Sequence, residues 1–265
     1  MIKNSENNLY DFFARLLIGA SSLYPGNKLP KKSAILVHSS LSSFGHVPLG
    51  AEEVIDALVS CCSTKGLTVV MPAHSDCSPD SSPEGEPSIF SKHSTPCTGM
   101  GKISETFRTR RGVYRSAHPY LSFCAKGSLA RALTRRHECE TALGKGSPLD
   151  TLYKIDALVL MLGTGWDTCS SMHLAEYEAA RRLESEGGIA DRVTCRAAVS
   201  TWKGLSWKVW EDLAYRSALF PEIGEAFVLK HPEKILSGQM KERKYRLMRI
   251  RDIVDFSIDR YRVLQ

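Results

Sequence analysis

The sequence lacks the short motifs that mark the most familiar catalytic and cofactor sites. It contains no GxxxxGK[ST] phosphate loop, no GxSxG nucleophile elbow and no HExxH zinc motif. Its eight cysteines form no CxxC pair, which argues against a zinc ribbon and a thioredoxin-type redox site. Gly163-Thr-Gly165 begins like a dinucleotide fingerprint, but Thr168 stands where the third glycine should be. Acyl transfer through an enzyme nucleophile therefore has no obvious signature in this sequence.

Long apolar runs and clustered basic motifs are also absent. No apolar run approaches the roughly 18 residues of a membrane span, and the N-terminal Met-Ile-Lys-Asn-Ser-Glu has no signal-peptide core. The net charge of +6 suits a polyanionic ligand, but there is no arginine-rich helix, zinc finger or RNA-binding signature. We therefore expect a cytoplasmic protein with reduced thiols that binds neither membrane nor nucleic acid.

Length and composition are those of an ordinary globular chain. With 265 residues, of which 43% are hydrophobic and 24% charged, the chain can bury a sizeable core. We find no internal repeat. Residues 76–101 are rich in turn-forming residues and are interpreted as a long loop within the domain, not as a linker. The predicted fold is a single α/β domain over residues 1–265, with a central mixed β-sheet flanked by helices.

Two β-α-β patterns support that fold class. In the first, Ser33–His38 and Leu67–Met71 are short apolar strands, and residues 51–62 between them carry their apolar side chains on one helical stripe. Such a unit normally joins parallel strands. The second pattern consists of a strand, a helix and a strand at Ala157–Leu162, Met172 to about Leu183, and Val193–Val199. A C-terminal amphipathic helix is predicted from Leu247 to Tyr261.

His173 and Glu176 stand at the start of the second predicted helix. Residues three apart share one helix face, and this pair follows the carboxyl end of a buried strand, where open α/β sheets carry their ligand sites. The positive end of the helix dipole keeps an imidazole neutral, and a carboxylate one turn on can orient the ring. The pair therefore predicts a general base. The alternative from these residues alone is a surface hydrogen bond.

Three other sets of residues have competing interpretations. A metal site could be drawn from four residues, but their spacings match no zinc pattern, so we expect no metal: His38, His74, His118 and Cys77. A basic cluster is interpreted as a solvated or phosphate-facing patch: Arg108, Arg110 and Arg111. The tryptophans near the C-terminal half are interpreted as core or pocket wall: Trp202, Trp207 and Trp210.

Six short motifs, in order along the chain, resemble those of one enzyme family. They are Val37-His-Ser-Ser-Leu-Ser42 with Gly45, Met71-Pro-Ala-His-Ser75, Ser104-Glu-Thr-Phe-Arg108, Arg115-Ser-Ala-His-Pro119 with Ser122, Gly144-Lys-Gly-Ser-Pro-Leu149 and His173-Leu-Ala-Glu176. Through them the chain resembles the aminoglycoside 3-N-acetyltransferases, antibiotic-resistance enzymes whose fold differs from that of the GNAT acetyltransferases. The resemblance extends from about Leu36 to Phe256, which is nearly the whole chain.

The resemblance implies a donor, a mechanism and a set of coenzyme contacts. It implies direct acetyl transfer from acetyl-CoA to an amine, with His173 as the general base and Glu176 as its partner. The coenzyme contacts it implies are His38, Ser39, Ser40, Leu41, Ser42, Gly45, Ser75, Thr106 and Ser147. The turn after the first strand also suits an anion on physical grounds, because backbone amides and hydroxyls meet there at a helix entrance. For each serine taken alone, a turn or cap role explains it equally well.

The acceptor is the least determined part of the prediction. Resistance-type members act on polycationic sugars, for which acidic residues are the natural complement. Residues 200–245, where acceptor walls are expected, contain eight Lys/Arg and six Asp/Glu. The candidate acceptors are therefore an aminoglycoside, an amino sugar and a related amine. The oligomeric state is also open, with a homo-oligomer as one possibility. The alternative function is a catalytically inactive coenzyme-binding or scaffold protein on the same fold.

Overall fold

A computed structural model describes residues 8–75, 89–137, 142–240 and 243–264 of the chain. These residues fold into two β-sheets with helices around them. The helices in these residues are α1 Leu9–Gly19, α2 Ala51–Thr64, α3 Gly101–Thr109, α4 Ala130–Thr134, α5 Pro148–Lys154, α6 His173–Ser185, α7 Phe220–Lys230 and α8 Ile250–Leu264. The strands are β1 Ser33–Ser39, β2 Leu67–Pro72, β3 Ile89–Phe90, β4 Tyr114–Arg115, β5 Phe123–Lys126, β6 Leu158–Leu162, β7 Arg192–Thr201, β8 Gly204–Leu213, β9 Ile235–Met240 and β10 Arg243–Arg249.

The larger sheet is mixed, as predicted. Its strand order is β4-β5-β2-β1-β6-β10-β9. The central strands β2, β1 and β6 are parallel, and both flanks are antiparallel. Ile35 of β1 lies opposite Val69 of β2 on one side and Leu158 of β6 on the other. The first predicted β-α-β unit is therefore confirmed, and β1 lies in the middle of the sheet.

Helices cover both faces of the larger sheet, which explains why β1 reads as an unbroken apolar run. Alternate strand residues point to opposite faces, so Ile35 and Val37 pack under α1, α2 and α3. Leu36 points the other way and packs under α4 to α8. Strands that are buried on both faces need no polar alternation. No helix in the described ranges is both long and apolar enough to cross a membrane.

The second predicted β-α-β unit is wrong. The strand β7 follows α6 as predicted, but it does not join β6 in the larger sheet. It belongs to a three-stranded sheet of order β3-β7-β8, in which β8 is antiparallel to β7 and β3 is parallel to it. One edge of β7 pairs with β8, which follows after the tight turn at Trp202-Lys203, and the other pairs with β3, so neither edge meets β6.

Two predicted boundaries also change. The C-terminal helix begins at Ile250, because Leu247 is part of β10, where it pairs with Leu160 and Leu236. The predicted loop at 76–101 lies partly outside the described residues, and its described part contains the short strand β3.

Candidate active site

The loop after β6 brings His173 to the edge of the larger sheet where the parallel strands end. Two short 3-10 helices, Trp166–Thr168 and Ser170–Met172, connect β6 to α6, and α6 begins at His173. The predicted placement of this histidine, at a helix start after a buried strand, is therefore confirmed.

Gly163 allows the loops after β1 and β6 to lie against each other. Its φ is +67°, a left-handed conformation that favours glycine, and a Cβ at this position would collide with the side chain of Ser43. The Ser40 N–H also donates to the Leu162 carbonyl at 3.0 Å. The segment that follows β1 is thereby fixed beside the segment that leads to His173.

His173 and Glu176 form a close pair. The distance from His173 Nδ1 to Glu176 Oε2 is 2.5 Å, and both side chains are largely buried. The second oxygen of Glu176 accepts the Arg216 backbone N–H at 2.9 Å. When Nδ1–H donates to the carboxylate, Nε2 becomes the nitrogen of the neutral ring that can accept a proton.

Two aromatic rings hold the imidazole in this orientation. The ring centroid of His173 is 4.7 Å from that of Phe220 and 5.3 Å from that of Tyr215, the latter in a T-shaped arrangement. Tyr261 lies near Glu176: burial raises the pKa of its hydroxyl, and the Glu176 carboxylate acts in the same direction. The pair is therefore fixed by packing as well as by hydrogen bonds.

A cavity of about 550 Å³ opens beside His173. Its lining also includes His38 and Ser39 at the end of β1 and the three residues that follow, Ser40, Leu41 and Ser42. Five of the nine predicted coenzyme contacts thus lie together with the predicted base. Their chemical role is not tested by this placement and stays a prediction.

The other four predicted contacts lie outside the lining of this cavity. Gly45 ends the short helix Leu41–Phe44, and Thr106 lines a second cavity of about 430 Å³ that shares Leu41 and Lys102 with the first. The hydroxyls of the two serines have local partners. Ser75 Oγ donates to the Pro119 carbonyl at 2.6 Å, and Ser147 Oγ caps α5 by accepting the Asp150 N–H at 3.4 Å.

Several cavity residues were not predicted from the sequence as coenzyme contacts. They include His74 from the end of β2, Lys102 and Ser104 from α3, and Thr164 and Asp167 from the loop after β6. The Gly99-Met-Gly101 turn before Lys102 was an available signal, because a glycine-rich turn that opens a helix is a common anion site. Among the sequence predictions, His74 has a role only in the alternative metal site.

Arginine and glutamate side chains from two of the six motifs hold the loops around the cavity. Arg115 donates to the carbonyls of Ala73 and Thr95 and to Ser122 Oγ, so it fixes the backbone beside His74. Glu105 accepts from Arg108 and from the Cys97 N–H, and Arg108 lowers the pKa of Glu105 to about 2. These residues position the site without lining it.

The interpretation of the arginine cluster as a solvated patch is wrong for Arg108. Its side chain is only 7% exposed, because Glu105 pairs with it on the same helix. Arg110 also has acidic partners, Glu52 and Asp56 on α2.

The three tryptophans interpreted as core or pocket wall differ in exposure. Trp210 is buried as predicted, whereas Trp202 and Trp207 are exposed.

The alternative metal site is not assembled in the described residues. They contain no group of three or more His, Cys, Asp or Glu side chains that could hold a metal ion. His118 Nδ1 instead accepts the backbone N–H groups of Tyr120 and Leu121. Cys77 lies outside the described residues.

Three buried histidines are held in their neutral form. Burial lowers the pKa of His38 and His74 to about 3, and nearby His173 acts in the same direction. Burial likewise lowers the pKa of His137 to about 4. In the unfolded chain a histidine titrates near 6.5. Between about pH 6.5 and 3 the unfolded chain therefore binds more protons than the folded one, and the free energy of unfolding falls as the pH is lowered.

We expect a steep loss of stability in mild acid. Each of these histidines contributes up to about 1.4 kcal/mol per pH unit below its unfolded pKa. The measurement is urea unfolding followed by circular dichroism at pH values from 7.5 to 5, a window in which ordinary carboxylates remain ionised. A free energy of unfolding that stays constant across this window would contradict the neutral, buried state of these side chains.

The fold and the site together define an α/β enzyme that places a histidine–glutamate pair at the carboxyl edge of a mixed sheet. The sequence profile described as aminoglycoside 3-N-acetyltransferase matches residues 36–262. The chain belongs to the aminoglycoside 3-N-acetyltransferase family, which confirms the resemblance found in its motifs, and it is an N-acetyltransferase.

One relative is similar along most of the chain. The SPbeta prophage-derived aminoglycoside N(3')-acetyltransferase-like protein YokD of Bacillus subtilis is 35% identical over 245 residues, 86% of each chain. Its crystal structure has a TM-score of 0.77, with 91% of this chain and 92% of that chain covered.

Two ligand-bound structures share the fold. AAC-IIIb, determined as a binary complex with CoASH, has a TM-score of 0.78 at 23% identity, with 96% of each chain covered. AAC-VIa, determined with bound sisomicin, has a TM-score of 0.80 at 23% identity, with 97% of this chain and 98% of that chain covered.

Proposed function

We propose that this N-acetyltransferase, as one domain over residues 1–265, uses acetyl-CoA and acetylates an amine by direct transfer, with His173 as general base. The observation that carries the proposal is that His173, which is hydrogen-bonded to Glu176, lines the same cavity as His38–Ser42. A base and a donor site on one cavity are what direct attack by an amine requires.

The base acts through Nε2. Since Nδ1 faces Glu176, the neutral ring presents Nε2 as the proton acceptor for the acceptor amine. The imidazolium that forms is stabilised by the Glu176 carboxylate, which also holds the ring in the required tautomer. Glu176 keeps its own position through the Arg216 N–H.

The cavity fits a long polar anion such as the coenzyme, which when bound supplies the acetyl group as a thioester. Ser39 and Thr164 line the cavity, and their buried hydroxyls have no hydrogen-bond partner among the described residues, so each gains a partner by turning toward a bound ligand. Lys102 lies in the first turn of α3, where its charge adds to the positive end of the helix dipole. Residues His38–Ser42 then hold the arm that leads to His173.

The inactive alternative has no observation in its favour. A scaffold that had lost turnover would need neither the histidine nor the carboxylate, yet both are present and hydrogen-bonded at 2.5 Å. The function proposed for the site is therefore catalysis.

The acceptor is an aminoglycoside, an amino sugar or a related amine, and the charge of the cavity favours an acceptor with few ammonium groups. Among its described lining residues Asp167 is the only carboxylate and Lys102 the only lysine or arginine. The acidic residues that could have converged from the C-terminal half do not line it. Glu211 accepts from Thr194, and Glu225 from Trp166.

We expect aminoglycosides to be weak acceptors. Each ammonium group that is desolvated without a carboxylate forfeits about 1–3 kcal/mol, so kcat/KM should stay below about 10⁴ M⁻¹s⁻¹. Amino sugars with one amine should equal or exceed that value. The measurement is kcat/KM for both classes in one acetyl-CoA assay. Aminoglycoside values of about 10⁴ M⁻¹s⁻¹ or more, above those of the mono-amines, would contradict the charge argument.

A further inference from the structure

The strand β8 presents an apolar face at the edge of the smaller sheet. It is the last strand in the order β3-β7-β8, so in the described residues only β7 pairs with it. Three of its side chains at every second position are exposed: Leu205 by 58%, Trp207 by 55% and Val209 by 69%. Side chains at i, i+2 and i+4 of a strand point to one face, so these three form a continuous row.

This row is not the packed face of the smaller sheet. The packed face contains Phe90, Ala197, Val199 and Trp210, which form their own buried cluster. Trp210 lies at an even position and Trp207 at an odd one, so they point to opposite faces of β8. Exposed apolar rows on edge strands are uncommon, because such edges readily pair with other strands.

Two-fold symmetry limits how two copies of β8 can pair. In an antiparallel pair, residues directly opposite each other point to the same face. A two-fold axis perpendicular to the sheet keeps each side chain on the same face in both copies. Because residues opposite each other share a face, the two strands can pair only in registers in which one central residue lies opposite the same residue of the partner. Each choice of central residue fixes every other pair.

Centring on Trp207 matches every side chain of the row with a suitable partner. Trp207 then faces the partner's Trp207, and aromatic pairs of this kind are favourable in sheets. Leu205 faces the partner's Val209. Lys203, in the turn just before β8, comes next to the partner's Glu211, which brings opposite charges together at both ends of the row.

The neighbouring registers lack this complementarity. Centring on Ser206 places Lys203 opposite the partner's Val209. Centring on Lys208 places two lysines opposite each other and Leu205 opposite the partner's Glu211. Like charges directly opposite in a sheet are destabilising, so the sequence of β8 favours one register.

We propose that two copies of this chain form a two-fold symmetric dimer through antiparallel pairing of their β8 strands, centred on Trp207. The pairing joins the two smaller sheets into one sheet of six strands. The interface is isologous, because each copy contributes the same strand. This inference does not depend on the catalytic role of His173.

The first test is the molar mass in solution, by size-exclusion chromatography with light scattering and by sedimentation over a range of concentrations. The wild-type chain should have twice its mass of 29.4 kDa, about 59 kDa. Trp207→Asp places two carboxylates on the axis and should raise the dimer dissociation constant at least about 100-fold. Leu229→Asp, at a similarly exposed leucine on α7, is the matched control and should leave the dimer intact.

The second test addresses the register by charge exchange. Lys203→Glu and Glu211→Lys should each weaken the dimer, because each places like charges opposite each other. The double variant restores opposite charges and should recover most of the wild-type affinity. A wild-type monomer at all concentrations, a dimer that survives Trp207→Asp, or a double variant no tighter than the single variants would overturn the proposal.

Discussion

Replacing His173 by alanine should lower kcat by about 10²- to 10⁴-fold, the usual scale for the loss of a general base. The affinity for coenzyme A should change little, since the other side of the cavity is formed by His38–Ser42. The experiment compares steady-state kcat with the dissociation constant from calorimetry on the same preparation. His46→Ala replaces an exposed histidine outside the lining of the cavity and serves as the control.

Glu176→Gln refines this test. The amide keeps the shape of the side chain but removes the charge that stabilises the imidazolium, so kcat should fall less than in His173→Ala. Because the neutral ring can still form a hydrogen bond to the amide oxygen, the fold should be preserved. A folded His173→Ala protein with wild-type turnover would refute the assignment of the base.

Replacing Ser40 by phenylalanine should abolish coenzyme binding. Ser40 lines the cavity, and its hydroxyl is 2.9 Å from that of Ser42. A phenyl ring there occupies the space assigned to the coenzyme arm and removes a polar contact. At a coenzyme A concentration of 100 times Kd, binding raises the free energy of unfolding of the wild-type protein by about 2.7 kcal/mol. In the variant, coenzyme A should not change the free energy of unfolding.

The readout is the shift in Tm on adding coenzyme A. The wild-type Tm should rise by several degrees, whereas the Tm of Ser40→Phe should not move. Ser63→Phe carries the same substitution at an exposed position on α2 and should respond like wild type. A full shift in Ser40→Phe would mean that the coenzyme lies elsewhere, and no shift in the wild-type protein at millimolar ligand would remove the basis for the donor assignment.

Local sequence patterns predicted the elements that build the site. The apolar run of β1, the helical stripe of α2 and the start of α6 at His173 each depend on neighbouring residues, which the sequence displays directly. The placement of His173 beside Ser39 also follows, because β1 and β6 are parallel neighbours whose carboxyl ends meet at one edge.

Contacts between distant segments were beyond this kind of prediction. Nothing in the periodicity of β7 indicates which sheet it joins, and its partner β8 is fixed by the turn at Trp202-Lys203. The approach of His74 to His173 likewise depends on the strand order. Burial of Arg115 could not be anticipated from its charge either, because the carbonyls that accept from it, those of Ala73 and Thr95, lie 42 and 20 residues away along the chain.

The most direct test of the proposed function is the release of coenzyme A thiol from acetyl-CoA in the presence and absence of amines. The assay uses a panel of amino sugars, simple amines and aminoglycosides, and mass spectrometry identifies the product. The account predicts thiol release that requires an amine, an amine product heavier by one acetyl group, and loss of both in His173→Ala. Thiol release without an acetylated amine, or no release with any amine while coenzyme A binds, would contradict it.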